Sequence, residues 1–144
     1  QALRSTYVAF FQLPWVPEAM LGSFDGAGLK AMIQGSAKTG SFEPGTLEHY
    51  ARAWAHPGSV TAMLNYYRAL RERPKTEEPA RLKPTTLILW AGDDVFLERN
   101  VAQAGLALCD DGKLEIIEGA SHWLHIEQPE RINARIIGFL AHGD

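Results

Sequence analysis

Apolar residues recur at helical spacing in the first half of the chain and gather into short, dense runs in the second. Leu29, Met32 and Ile33 lie within a helical turn of one another. Glu43-Pro-Gly-Thr46 reads as a turn into a helix carrying Leu47, Tyr50, Ala51 and Trp54, which His56-Pro-Gly58 then breaks. Ser59 is the predicted N-cap of the next helix, where Val60, Met63, Leu64, Tyr67 and Leu70 follow an i, i+3, i+4, i+7 series. Further on, Thr85–Trp90 is β-branched and then apolar, which predicts a buried strand, and Leu114–Glu118 predicts another. Val101, Ala104 and Leu108 predict a short helix between them. The last helix starts near Pro129, a residue favoured at the first helical position. Its apolar face is Ile132, Ile136, Ile137, Phe139 and Leu140.

Strands alternating with helices imply β-α-β crossovers, and hence an α/β fold with a mostly parallel sheet. Only two strands are convincing, and parallel sheets normally have helices on both faces. The second half therefore reads as the edge of a larger sheet. Three regions are expected: a helical region at 1–72, a linker at 73–84 and a strand-and-helix region at 85–144. The linker contains Pro74, Pro79 and Pro84 among mostly charged residues, the composition of a solvated connector.

Composition narrows the function classes. A 46% hydrophobic content suits a globular domain, and a net charge of −3 with mixed signs gives no basic block for nucleic acid. Apolar runs such as Val8–Phe11 are far shorter than the ~20 residues of a membrane span. Gln1 opens no signal-peptide pattern. A lone Cys109 excludes an intrachain disulfide and argues against a structural zinc site, which fits a cytoplasmic, reducing compartment. The absence of an initiator Met points to a processed product or a fragment.

Two loops carry the chemistry. His122, in Glu118-Gly-Ala-Ser-His-Trp123, directly follows a predicted strand, at the edge where α/β sheets present reactive groups. Asp93 and Asp94 follow the other strand, in Leu89-Trp-Ala-Gly-Asp-Asp-Val-Phe-Leu97. Alone, either loop reads as ordinary: a surface histidine, or a carboxylate capping a turn. Together, 28 residues apart from Asp94 to His122 with one helix and one strand between, they read as an acid orienting a base. Acid before histidine is the order in α/β-hydrolases. His49, His56 and His142 show no metal-ligand spacing, and His125 has no assigned acid.

Asp94 with Phe96-Leu97, and Gly119-Ala-Ser-His-Trp-Leu-His-Ile-Glu-Gln-Pro-Glu130, resemble the epoxide-hydrolase branch of the α/β-hydrolases. Tyr7-Val-Ala-Phe-Phe-Gln-Leu-Pro-Trp-Val-Pro-Glu18 is similar to the start of that family's helical cap, and Asn65-Tyr-Tyr-Arg68 to its second cap signature. The resemblance covers nearly the whole chain in the family's order. It implies that 1–72 is a cap and 85–144 the C-terminal part of the hydrolase core. It also implies a mechanism in which a carboxylate opens an epoxide, two tyrosines protonate the ring oxygen, and an acid-oriented histidine activates water against the resulting ester. By motif, Tyr7 and Tyr67 match the tyrosine pair, Asp94 the acid and His122 the base. Without the resemblance, Tyr7 and Tyr67 read as aromatic packing. Phe11 and Trp123 are candidates to line an apolar substrate pocket, with core packing the alternative for each. No metal or organic cofactor is implied.

Two departures from the family pattern stand out. Ala91-Gly92 replaces a glycine directly after the strand tryptophan, leaving Asp93 and Asp94 both open as the acid, although spacing to Phe96-Leu97 favours Asp94. No nucleophile elbow with an Asp between glycines occurs. The chain is therefore expected to lack the N-terminal half of the fold, which would be its partner in supplying the nucleophile for a small-molecule epoxide. The alternatives are a dehalogenase or ester hydrolase of the same fold, or a non-catalytic assembly fragment.

Overall fold

The computed structural model describes residues 6–43, 45–72 and 80–142. The chain divides into two compact units, one helical and one strand-bearing, with residues 36–38 belonging to the strand-bearing unit.

In the helical unit, α1 (Thr6–Phe11) is followed by α2 (Val16–Ser36), α3 (Thr46–Trp54), α4 (Ser59–Arg68) and a 3-10 turn at Ala69–Glu72. α2 is broken between Ser23 and Gly26, where Phe24, Asp25 and Gly26 have φ of 53°, 57° and 69°. Leu29, Met32 and Ile33 thus sit on its second arm. The arms approach so closely that a Cβ at Gly28 would lie 2.4 Å from the Met20 carbonyl oxygen, so glycine is a steric requirement there. Phe11, Leu21, Leu29 and Leu64 form the core, packed against Tyr7, Phe10, Trp54, Val60 and Tyr67. Met32 and Met63 are exposed, so only part of each predicted apolar series turns inward.

Ser59 is not the N-cap of α4. Gly58 occupies that position with φ 81°, and Ser59, already in the first helical turn, donates its hydroxyl to the Ala53 carbonyl at 3.0 Å. Of the turn predicted at Glu43–Thr46, residue 44 lies outside the described residues. Gly45, with φ 89°, caps α3.

The strand-bearing unit runs β1 (Thr86–Ala91), α5 (Arg99–Leu106), β2 (Gly112–Ile117), α6 (Leu124–Glu127) and α7 (Pro129–His142). The strands pair in parallel from Thr86↔Gly112 to Ala91↔Ile117. This register brings the two C-terminal strand ends side by side. Ala91, Ile117, Ala120 and Ile132 form a small core with Leu89 and Leu124 against it. β1 is half-buried up to Ala91 rather than buried throughout, because among the described residues β2 is its one strand partner. For the same reason the predicted face of α7 is only partly covered: Ile132 is buried, whereas Ile136, Ile137 and Leu140 are exposed. A cleft of about 380 Å³ lies between this helix and the sheet, walled by Leu87, Leu89, Leu124, Ile132, Ile136 and Phe139.

Of the predicted linker, residues 73–79 lie outside the described residues. Residues 80–84 are exposed, as expected of a connector, and are also tied by hydrogen bonds to the segment that follows α5. The Leu82 amide donates to the Leu108 carbonyl and the Asp110 amide to that of Leu82, both at 2.8 Å. Arg81 pairs with Asp110 and donates to the carbonyls of Ala107 at 3.1 Å and Cys109 at 2.9 Å. Its guanidinium thus satisfies backbone acceptors at and just beyond the end of α5, which a helix terminus leaves without intrahelical donors. Among the described residues no helix is long and apolar enough to cross a membrane.

Ile117 is fully buried at the centre of the smaller core. Ile117→Ala should therefore cost about 3 kcal/mol of stability, measurable by denaturant unfolding. A loss below about 1 kcal/mol would mean that this core collapses around the void.

Candidate active site

At the end of β1 the backbone must pass close to β2. The Gly92 amide donates to the Ile117 carbonyl at 3.0 Å, and a Cβ at Gly92 would lie 3.1 Å from the Glu118 Cα. Ala91, the residue displaced relative to the family pattern, fills the buried strand end. Next, the Asp93 amide donates to the Ala120 carbonyl at 2.9 Å, binding the acid-bearing loop to the loop after β2. Arg99 braces the same junction from outside, donating to both Glu118 carboxylate oxygens at 2.8 and 2.7 Å and to the Gly92 carbonyl.

The two aspartates then diverge. Asp93 is exposed and lies 3.4 Å from Lys38 Nζ. Asp94 is buried, and its Oδ1 accepts the amides of Phe96 at 2.8 Å and Leu97 at 3.0 Å. Its Oδ2 lies 2.9 Å from His122 Nδ1. Asp94 is thus the carboxylate that meets the histidine, and the turn through Phe96 and Leu97 fixes its direction. An Nδ1–H donating to a carboxylate leaves the lone pair of the neutral imidazole on Nε2. The His122 side chain is 37% exposed, against 8% for Asp94. Phe96 and Trp123 meet the imidazole edge-on, with centroids at 5.0 and 5.6 Å. A ring held at one nitrogen and flanked by aromatics can accept a proton at the other without reorienting.

Tyr7 and Tyr67 meet in the helical unit, with centroids 5.8 Å apart and planes at 79°. Phe11 packs against both, at 5.4 and 5.0 Å. It is buried in the core, and with Leu21, Leu29, Met63, Leu64 and Tyr67 it also walls an apolar cavity of about 330 Å³. Phe11 is therefore a core residue that also lines a cavity. Trp123, in the other unit, is half-buried and donates its indole N–H to Ser36 Oγ at 2.9 Å, a polar tether beyond simple pocket lining.

The tyrosine pair depends on a brace that the residue pattern leaves unseen. Arg68, next to Tyr67, donates to the carbonyls of Phe11 at 3.0 Å and Leu13 at 2.8 Å and forms an ion pair with Glu18 at 2.7 Å. Gln12 donates to the Tyr67 carbonyl at 3.1 Å. Arg68 therefore caps the end of α1, the helix that carries Tyr7. Its place in the Asn65–Arg68 signature marks it in the sequence, but Phe11, Leu13 and Glu18, which it braces, lie 50 or more residues away. Among the described residues, no group of three or more His, Cys, Asp and Glu is placed to hold a metal ion.

Comparison with known proteins identifies the family of this fold. Residues 3–135 match the model of the Alpha/beta hydrolase family. The chain is 38% identical over 140 residues to the AB hydrolase superfamily protein YfhM of Bacillus subtilis, covering 97% of this chain and 49% of that protein. It is 32% identical to Epoxide hydrolase 2 of Caenorhabditis elegans, covering 97% and 41%. Among solved structures, a Bacillus megaterium epoxide hydrolase in complex with an inhibitor superposes with a TM-score of 0.81 at 25% identity, covering 97% of this chain and 52% of that one. The chain thus spans about half the length of these relatives.

Hydrogen bonding from Arg68 holds the Glu18 carboxyl below the usual carboxylate range. A depressed folded-state value contributes stability above the unfolded value near pH 4.3 and loses it as pH falls through the folded one. Stability of the helical unit should accordingly fall with acidification below about pH 4.3, and Glu18→Gln should shallow that fall. Parallel acid limbs for both proteins in a series of thermal melts would contradict the assignment.

Proposed function

Because the chain belongs to the α/β-hydrolase family, among its epoxide-hydrolase relatives, we propose that it supplies the acid, the base and the ring-oxygen donors of an epoxide hydrolase. The observation that carries this reading is the His122 Nδ1 to Asp94 Oδ2 contact at 2.9 Å, at the adjoining ends of two parallel strands. A nucleophilic carboxylate attacks one epoxide carbon, the carbon–oxygen ring bond breaks, and the leaving oxygen takes a proton from the Tyr7 or Tyr67 hydroxyl. Phenols suit this step because they donate while remaining neutral at physiological pH. The product is a hydroxyalkyl ester of the nucleophile. His122 Nε2 then takes a proton from water as its oxygen adds to the ester carbonyl. The acyl carbon–oxygen bond breaks, the departing alkoxide takes the proton from the His122 imidazolium to complete the diol, and the proton released as the carboxylate is regenerated returns to the tyrosine. Asp94 holds the ring and stabilises the imidazolium formed on the way.

On this reading the nucleophile and the oxyanion donors come from an N-terminal half of the same fold, outside the 144 residues. The partly uncovered α7 face and the single strand partner of β1 among the described residues support it, since parallel sheets are ordinarily covered on both faces. The apolar cavity beside Tyr67 supports a hydrophobic epoxide as substrate. Cap and core then correspond to residues 1–72 and 85–144, joined by 73–84.

In the complete protein, Tyr7→Phe and Tyr67→Phe should each slow diol formation from a styrene-oxide-type substrate, and the double variant should abolish it. Chromatographic detection of the diol checks this. Turnover intact in the double variant would favour a dehalogenase or ester hydrolase, in which no ring oxygen needs a proton.

A further inference from the structure

We infer that Glu127 is a positioning residue for the His122 base, acting through Ser121; the inference rests on the functional reading above. His122 sits in a loop whose two neighbours in sequence are both tied to one carboxylate. Glu127 Oε2 accepts the Ser121 amide at 2.6 Å, and Oε1 accepts the Ser121 hydroxyl. The same Oε1 accepts the Lys38 amide at 2.9 Å. The Ser121 hydroxyl oxygen in turn accepts the Trp123 amide at 3.4 Å. The backbone on both sides of the histidine is therefore held through Glu127, directly at residue 121 and by relay at residue 123.

Burial makes this arrangement consequential. Ser121 is only 5% exposed and the preceding Ala120 is fully buried, so a Ser121 amide without its acceptor has little access to water. Carboxylates accept such amides in short, strong hydrogen bonds. The imidazole has one strong fixed point, its Nδ1 on Asp94, and a ring pivoting about a single contact still needs its Cα placed. Glu127 sets that placement, Asp94 sets the ring direction, and Nε2 is aimed by the two together. Glu127 itself needs no contact with substrate.

Its chemical signature follows from the two-step reaction. Ester formation uses the nucleophile and the tyrosines, whereas ester hydrolysis uses His122. A misplaced base slows only the second step, so the covalent ester accumulates. Glu127→Gln preserves size but cannot serve all three donors. Whichever way the amide turns, its NH2 faces an N–H or O–H that the carboxylate had accepted. Misplacement of a reacting group by a fraction of an ångström to an ångström costs roughly ten- to a hundredfold in rate.

The test is rapid-quench mass spectrometry of the complete protein with a styrene-oxide-type substrate, following the ester and the diol separately. Glu127→Gln should keep ester formation within about twofold of wild type, slow hydrolysis roughly ten- to a hundredfold, and leave the ester as the dominant species. Ser121→Ala, which removes the hydroxyl but keeps the amide bond, should show the same pattern more weakly. The two changes combined should slow hydrolysis by less than the product of the separate effects, because they share one network. The inference is overturned if both steps slow equally in Glu127→Gln and Ser121→Ala, as a general loss of folding would cause, or if hydrolysis is unchanged in either. Wild type and His122→Ala serve as the controls for the underlying reading. Ester build-up in His122→Ala with none in Glu127→Gln defeats this inference alone, and no ester in either defeats the epoxide-hydrolase reading with it.

Discussion

Asp94 is a buried carboxylate whose two oxygens serve different masters. One oxygen ends the turn that follows β1, by accepting the amides of Phe96 and Leu97, and the other holds His122. The second job cannot be done unless the ends of β1 and β2 lie side by side, which the Ala91↔Ile117 register provides. The small residues around this junction follow from the same demand. Gly92 leaves room for the β2 backbone, and Ala120 fills a position with no exposed surface. Arg99 and Glu118 lock the junction from the solvent side, where an exposed ion pair stabilises modestly and serves more to fix geometry than to supply energy.

Much of this site is legible in the sequence, because it sits at the ends of strands whose apolar runs are distinctive. Two short runs with an acid after one and a histidine after the other, in parallel order, already place both groups on one sheet edge. The choice between Asp93 and Asp94 is harder. Adjacent residues at a strand end point in different directions, and only the turn through Phe96 and Leu97 decides which carboxylate turns inward. The braces are less legible still. Glu127 reads as one more charge in a polar stretch, and Arg68 as the end of a tyrosine motif. What they hold is backbone amides and carbonyls, groups that every residue carries and that no side-chain pattern marks.

The fold departs from the pattern where tertiary contacts override local preference. The spacing of Leu29, Met32 and Ile33 predicts only the second arm of α2, and the break at Ser23–Gly26, which lets its two arms pack at Gly28, has no mark in that spacing. Ser59 has the side chain of an N-cap, but Gly58 reaches a left-handed conformation at little steric cost and takes the position first. The apolar face of α7 is written fully in the sequence and only partly buried in the chain. Periodicity reports what a helix can cover, not what is there to be covered.

The role proposed for His122 turns on one hydrogen bond and the tautomer it imposes. Nitrogen NMR of protein labelled with ¹⁵N-histidine reads that tautomer at His122 directly. The prediction is a neutral imidazole with its proton on Nδ1 and an unprotonated Nε2, changed in Asp94→Asn. A neutral His122 that carries its proton on Nε2 in the unmodified protein would contradict the account, since that ring could neither donate to Asp94 nor take a proton from water.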